Sequence, residues 1–464
     1  MDFLNKHVLV IGLGKSGKAA SLKLKDLGAN VLASDISESE DMMKLADELR
    51  AKGISVELGK QEESLLRRID RIDIIVVSPG VPSKVPVLKA AEKLNIPVWS
   101  EIELAYKLAN KPIIAITGTN GKTTTTTLIG EVFRAAGKKV AVAGNIGMPL
   151  VMAADDPAIE TLIVEVSSFQ LDTIVDFRPN IAVLLNITED HLDWHPDFED
   201  YVRSKSRLFL NQQDSDFAVL NLDDRIVSSL VSGIRANIIS TSKQKLEKGV
   251  FIDGDRIVAK LPSVKAGSED TVDICGISEL KVRGSHNLDN VMAVIGACLA
   301  AGIDYAIIRD VITSFPGLEH RTEYVATING VDYFNDSKAT NVDATVKALT
   351  AFDSSIILLV GGRNKGNDFK PLAQSLSEQV KAVIGFGESG REILGTITAN
   401  IYLEYAETVE EAVKLASKLA QPGQVVLFSP SCASFDAFRS YAHRGEVFKR
   451  AVQALGEGYG DTTN

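Results

Sequence analysis

Seven residues, Gly118-Thr119-Asn120-Gly121-Lys122-Thr123-Thr124, stand between an apolar run, Ile113-Ile114-Ala115-Ile116, and a helical pattern from Thr123 to Ala136. Strand, glycine turn, lysine, hydroxyl and helix in that order make a phosphate cradle. The glycines and the helix start free backbone N–H groups that point at an anion, and the helix dipole favours it. Lys122 adds a point charge for the outer phosphates, and Thr123 an oxygen for Mg²⁺. The spacing departs from the general G-x-x-x-x-G-K-S/T form, because Ile116 stands where the first glycine falls. A loop of this kind needs a strand before it and a helix after it. It therefore points to an α/β sheet and to nucleoside triphosphate chemistry, while an ordinary polar turn is the plainer alternative.

The chain has 464 residues, too many for one core, and a prior of ~150 residues per domain suggests about three. Short β-rich runs alternate with helical patterns over most of the length, the pattern of parallel α/β sheets. Strands are expected at His7–Ile11, Asn30–Ser34, Ile54–Leu58 and Ile72–Val77, with helices at Lys18–Leu27 and Asp41–Lys52. The pattern pauses at Ile96-Pro97-Val98-Trp99, and a first boundary is placed there, ahead of a helix from Glu101 to Leu108. Further strands are expected at Lys139–Ala143, Thr161–Val166 and Ile181–Ile187, then a hairpin tip at Phe251–Asp255 and a long apolar helix from Asn290 to Ala301. Phe315-Pro316-Gly317 reads as a linker. Beyond it lie strands at Ser355–Val360, Lys381–Gly385 and Val425–Ser429, with helices near 342–351, 407–420 and 444–455. The expected organisation is α/β with three domains in series. Residues 1–99 form a Rossmann-like domain, 100–315 a P-loop ATPase-like domain with a mainly parallel sheet, and 316–464 a second Rossmann-like domain.

A formal charge of −11, from 50 basic and 61 acidic residues, argues against a nucleic-acid partner. The three cysteines, Cys275, Cys298 and Cys432, have no metal-ligand spacing, and an odd count suits no disulfide framework. No secretory signal precedes the first strand and no window approaches ~20 uninterrupted apolar residues. A cytoplasmic protein without membrane insertion is expected.

Most polar strings follow expected strands. Gly12-Leu13-Gly14-Lys15-Ser16-Gly17 opens the first helix, and Asp35 closes the second strand eighteen positions after Gly17. Together they satisfy the dinucleotide-binding fingerprint, whose direct reading is NAD with Asp35 on a ribose hydroxyl; the broader reading is a phosphorylated nucleotide at that helix start. Ser78-Pro79-Gly80 ends a later strand on the same cleft. In the second region Gly144-Asn145-Ile146-Gly147 suits a ligand loop or a simple turn. Glu165, closing a buried strand near the phosphate loop, is a magnesium-ligand candidate. His191, within Asn186–His195, suits metal binding or proton handling. Lys205 reads as a solvated charge. In the third region His320-Arg321, Asn335–Asn341 and Ser429–Asp436 concentrate donors and acceptors that suit a multiply anionic ligand, with helix capping as the competing account.

In this order the strings GTNGKTT, AGNIG, EVSSFQ, NITEDHLDWH, HNLDN, EHRTE, NDSKATN and SPSCASFDAFRSYAHRGEVF resemble those of the Mur ligases, ATP-dependent amino-acid ligases that build the peptidoglycan stem peptide. GTNGKT is shared across the superfamily, including folylpolyglutamate synthases, whereas NDSKATN and SPSCASFD point to the D-glutamate-adding branch. The resemblance implies ATP and Mg²⁺ as cofactors, UDP-N-acetylmuramoyl-L-alanine and D-glutamate as substrates, and a monomer. It turns the first glycine fingerprint into a uridine nucleotide site, with Gly14, Lys15, Ser16, Gly17, Asp35 and Ser78 at the nucleotide and Asn145 and Gln170 at the sugar-phosphate. Gly118 through Thr124, Asn287, Asn290, Arg321, Asp336 and Lys338 fall on the ATP side, with Arg321 at the γ-phosphate. Thr123, Glu165, His191 and a carbamylated Lys205 match metal ligands, and Thr340, Lys365, Ser434 and Tyr441 match D-glutamate contacts. Lys122, His191, Lys205 and Arg321 are the catalytic candidates; His191 bound to metal is not also a free base.

Two departures bear on the amino-acid site. Arg363 stands where some relatives carry an acid, and Tyr441 where others carry phenylalanine. The resemblance also implies that ATP lies between the second and third domains and the UDP substrate between the first and second, with a hinge near Gly317. Three rival readings stay open at this stage. They are a folylpolyglutamate synthase, an NAD-dependent oxidoreductase fused to a P-loop module, and a non-catalytic nucleotide sensor.

Overall fold

The structure, a computed structural model, describes residues 2–59, 62–67, 71–82, 84–191, 194–262, 269–282, 284–352 and 354–457. Leu192 and Asp193 of the Asn186–His195 string lie outside the described residues. The fold is α/β with three mostly parallel sheets. The chain forms two compact units, Met1–Cys275 with Asn290–Ile312, and Gly276–Asp289 with Thr313–Asn464.

The first sheet runs Ser55–Leu58, Asn30–Asp35, His7–Ile11, Ile74–Val77, Val98–Ser100, all parallel. Its strands are apolar on both faces: Val8 and Val10 pack into one core with Leu24 and Ala33, while Leu9 and Ile11 pack into another with Ile75 and Val77. That double burial follows from the side-chain period of two in a sheet covered on both sides. Strand order reverses beside His7–Ile11, so the glycine loop after it and Ser78 after Ile74–Val77 meet at the switch point where open α/β sheets bind ligands. Val98–Ser100 is a strand where the sequence pattern pauses; three residues after a proline are too few to show alternation.

The second sheet has nine strands in the order Glu269–Gly276, Arg256–Pro262, Gly249–Asp253, Asn237–Ser242, Phe217–Asn221, Ile181–Leu184, Ile113–Thr117, Thr161–Glu165, Val140–Gly144. Ile113–Thr117 is third from one edge, flanked in parallel by Thr161–Glu165 and Ile181–Leu184. The expected hairpin is present, with Asp253 opposite Arg256 across Gly254-Asp255. The second unit holds the third sheet, Glu323–Ile328, Val331–Asn335, Val425–Ser431, Ile356–Gly361, Val380–Phe386, Tyr402–Ala406, antiparallel only at its first pair. Among the described residues no helix is long and apolar enough to cross a membrane.

Candidate active site

In the first sheet, the helix Lys15–Asp26 starts directly from Gly14, and no side chain caps its first turn. Gly17 packs so closely on the Gly12 carbonyl that a Cβ would overlap it, so this turn admits only glycine. Ser78 Oγ donates to the same Gly12 oxygen at 2.7 Å, tying the two loops together. Asp35 accepts from Leu13 N at 2.6 Å and from Ser37 N at 2.8 Å. Its carboxylate thus braces the glycine loop, while Gly14 and Lys15 stay exposed at the helix start.

The phosphate loop leaves Ile113–Thr117 and enters the helix Lys122–Ala135 through Gly121, whose φ is +88°. A Cβ on Gly121 would strike Asn290 Oδ1, which places the Asn290 carboxamide against the loop. The loop is fastened on its other side by the segment after Ile181–Leu184. Asn120 N donates to Asn186 Oδ1 at 2.9 Å, and Thr119 Oγ1 donates to the Thr188 carbonyl and lies 3.1 Å from the Tyr201 hydroxyl. Thr123 sits in the first turn of the helix.

Lys122 Nζ donates to the carbonyls of Gly118 and Thr119, both at 2.8 Å, and Lys205 Nζ donates to the same Gly118 oxygen at 2.9 Å. Lys205 was expected to be a solvated charge from pattern alone, yet it is 1% exposed and lies over the Tyr201 ring. Burial holds its ammonium well below the usual lysine range, and the Lys122 charge beside it pushes the same way. A buried, neutral-leaning amine is the form that reacts with an electrophile such as CO₂.

Glu165 closes the neighbouring strand at 2% exposure. Its Oε1 accepts from Asn145 Nδ2 at 2.7 Å, while the buried Oε2 has no hydrogen-bond partner among the described residues. An anionic oxygen buried without a donor is costly unless a cation completes it, so the donor set fits Mg²⁺. His191 adopts a left-handed φ of +57° and packs edge-on to Phe169 at 4.9 Å. Among the described residues no group of three or more His, Cys, Asp or Glu side chains stands ready for a metal, so a site here needs oxygens of other kinds. Gln170 Oε1 takes part in a capping box with Ser167. His195, not singled out by sequence, is 1% exposed and bridges Ser168 Oγ at 3.0 Å to Asp200 Oδ2 at 2.8 Å.

In the second unit Asp336 directly follows the strand Val331–Asn335 and is buried. Burial pushes its carboxyl up to about 7, against Ser429 Oγ and Thr322 N, which both donate to it, and against the nearby Arg321 charge. Lys338 places its ammonium 3.8 Å above the Tyr441 ring, a cation–π pair that brings the two expected strings together. Ser434 is buried nearby in sequence to Phe435, over which Lys365 lies at 5.4 Å. Arg363 pairs with Glu388 at 3.0 Å, so its charge is balanced locally. Asn287 and Thr340 are partly exposed, Asn287 in the first turn of the helix Ser285–Ala300 and Thr340 just before the helix Val342–Leu349.

Arg444 was missed by sequence reasoning, and among the described residues it is the largest fully buried side chain. Its guanidinium donates to Ser337 Oγ and O and to the carbonyls of Ala433 and Gly361, and burial lowers its pKa to about 10. It thereby gathers the ends of three strands. The sign in the sequence was an arginine on the inward face of an otherwise ordinary helix, which composition alone does not separate from a solvated one.

Three family models match along the chain: Mur ligase MurD-like, N-terminal domain over residues 6–100, Mur ligase middle domain over 116–298, and Mur ligase, glutamate ligase domain over 320–432. The UDP-N-acetylmuramoylalanine--D-glutamate ligase of Geotalea uraniireducens is 42% identical, covering 99% of this chain and 100% of its own. The protein of the same name from Pelotomaculum thermopropionicum is 44% identical, with 98% and 99% covered. Among solved structures, a pseudomurein peptide ligase type C from Methanothermus fervidus superposes with a TM-score of 0.60 at 21% identity, covering 97% and 100% of the two chains. The MurF ligase of Thermotoga maritima in complex with ADP gives 0.59 at 18% identity, covering 97% and 96%. These two likenesses are of fold.

Proposed function

The chain belongs to the Mur ligase family, and on that premise we propose that it is an ATP-dependent, ADP-forming amide ligase joining D-glutamate to UDP-N-acetylmuramoyl-L-alanine. It serves peptidoglycan precursor synthesis, and so cell-wall growth, cell shape and division, as a cytoplasmic monomer that binds no nucleic acid and inserts in no membrane. Residues 1–99 take the UDP substrate, 100–315 take ATP and 316–464 take the amino acid. The geometric observation that carries the reading is the Glu165 oxygen without a hydrogen-bond partner among the described residues, near a phosphate loop on which Lys122 and a buried Lys205 converge.

A carboxylate repels an attacking amine and has no usable leaving group. Transfer of the γ-phosphoryl from ATP to the L-alanine carboxylate gives an acyl phosphate and ADP. The neutral amine of D-glutamate then attacks the carbonyl carbon, the C–O bond to phosphate breaks, and the amine proton passes to solvent or phosphate. Lys122 turns from the loop carbonyls to the transferring phosphoryl group, offsetting the charge that builds there. Lys205, as a neutral amine, adds CO₂ and loses a proton to become a carbamate, which converts a cation into an oxygen ligand. Thr123, Glu165, His191 and that carbamate would hold Mg²⁺, which when bound supplies positive charge to the phosphate oxygens. Arg321 adds a fixed charge for the γ-phosphate. Asn287, Asn290, Asp336 and Lys338 complete the nucleotide contacts. Thr340, Lys365, Ser434 and Tyr441 receive the carboxylates of D-glutamate, and Gly14 to Gly17, Asp35, Ser78, Asn145 and Gln170 receive the UDP-sugar.

Phosphate release is measured with UDP-N-acetylmuramoyl-L-alanine, ATP and a panel of D- and L-amino acids. Release only when D-glutamate is present supports the reading, and Lys122→Ala abolishes it. Release with a different amino acid, or from the lysine variant at the wild-type rate, sinks it.

A further inference from the structure

The helix Glu101–Leu108 joins the last strand of the first sheet, Val98–Ser100, to the strand that feeds the phosphate loop. It carries two interior carboxylates, Glu101 at 1% and Glu103 at 0% exposure. Carboxylates are placed in a core only where something repays their desolvation. Glu101 Oε1 accepts the N–H of Val151 at 2.7 Å. Glu103 accepts three consecutive N–H groups, Val175 and Phe177 at 2.9 Å on Oε2 and Asp176 at 3.0 Å on Oε1. Lys107, one turn along the same helix, lies 3.6 Å from Glu103.

The two segments held in this way lie immediately beyond two loops of the second sheet. Val151 belongs to the short helix Leu150–Ala153, which follows the loop Gly144–Met148 closed by a hydrogen bond from Gly144 N to Met148 O at 3.0 Å. That loop carries Asn145, bonded to Glu165. Val175–Phe177 follow the helix Ser168–Leu171, which carries Gln170. One helix rooted in the first sheet therefore anchors the chain just past both Asn145 and Gln170, and Ser100 N adds a further link to the Thr173 carbonyl at 3.4 Å.

We propose that Glu101 and Glu103 are positioning residues for the sugar-phosphate substrate, setting the Asn145 and Gln170 loops in register with the first sheet through backbone N–H groups. The inference rests on the reading above that these loops receive the UDP-sugar. Neither glutamate touches substrate; each fixes a loop whose displacement by about 1 Å is enough to cost binding. The function does not depend on the charge of Glu101 but on its accepting oxygen, which glutamine retains.

The test compares Glu101→Ala with Glu101→Gln in the full-length enzyme. Alanine is expected to raise KM for the UDP-sugar roughly tenfold while KM for ATP stays within about twofold, and glutamine to restore the UDP-sugar KM. Isothermal titration with the UDP-sugar alone shows the same loss of affinity for alanine and the same recovery for glutamine. Should alanine fail to fold, Glu101→Asp, shorter by one methylene, is held to the alanine expectation. The proposal is overturned if both KM values rise together, or if glutamine behaves as alanine does. Failure of the underlying reading has a different mark, a wild-type enzyme that neither binds the UDP-sugar nor turns it over.

Discussion

Burial drives Glu101 and Lys205 toward a neutral side chain from opposite sides. In Lys205 the proposed outcome is chemical, because only the neutral amine can add CO₂. In Glu101 it is a matter of stability. Burial raises its carboxyl from 4.5 to about 7, although the N–H groups of Val151 and Leu150 pull it down. The folded protein therefore holds this proton more tightly than the unfolded chain. Its contribution to stability is complete below pH 4.5, shrinks as pH rises, and is gone once pH has passed about 7. At 1.36 kcal/mol per unit the loss amounts to about 3 kcal/mol. Glu101→Gln keeps the acceptor for Val151 and cannot ionise. Urea unfolding across a pH series is expected to show the variant gaining on the wild type between pH 4.5 and about 7, then running parallel to it. A constant difference over that range rejects a buried, titrating Glu101.

Among the elements, the turn from Ile113–Thr117 into Lys122–Ala135 has little freedom. Gly121 is left-handed at φ +88° and faces Asn290 Oδ1 with no room for a Cβ. Gly121→Ala is expected to cost ~1–3 kcal/mol, lowering the melting temperature by a few degrees, and to weaken ATP binding at least about tenfold. Calorimetry and ATP titration check this, and unchanged ATP affinity defeats it. This turn was legible in the sequence because its parts are contiguous: strand, glycine, lysine and helix lie within two dozen residues. Central strands such as His7–Ile11 and Ile356–Gly361 were legible for a related reason, since burial on both faces leaves an unbroken apolar run. Edges were not. Tyr402–Ala406 mixes exposed tyrosine with a glutamate, and Val98–Ser100 has only three residues. Glu101, Glu103 and Arg444 escaped for a deeper reason. Each lies in a helix whose charges read as solvated, and the hydrogen-bond partners that hold it inside include residues 50 to 107 positions away. Lys205 stood out only through the resemblance, because its burial depends on a hydrogen bond to Gly118, 87 residues earlier.

Over the whole molecule, a net charge of −11 means that three anionic substrates are captured against the overall field. On the proposed reading, capture falls to local cations and helix starts, and these are divided between the units: Lys15 and Lys122 in the first, Arg321, Lys338 and Lys365 in the second. Each sheet carries its polar strings beyond the carboxyl ends of its strands, the edge at which open α/β sheets meet ligands. If each substrate belongs to the set assigned to it, binding should leave a separate imprint on each. Hydrogen exchange read by mass spectrometry resolves this. The UDP-sugar alone is expected to slow exchange over residues 12–17, 35–37, 78–80 and 145–147. A non-hydrolysable ATP analogue is expected to slow it over 118–124. At about 100 times Kd, linkage allows up to ~2.7 kcal/mol of protection, roughly a hundredfold slowing where exchange requires the bound segment to open. D-glutamate, added to enzyme already holding both, should extend protection to 338–341, 361–365 and 434–441. Protection of 434–441 by the UDP-sugar alone, with 12–17 unaffected, would reverse the assignment of substrates to units. Protection of 12–17 by NADH in place of the UDP-sugar would return the first glycine fingerprint to a dinucleotide, because that loop and its helix start suit either phosphate chain.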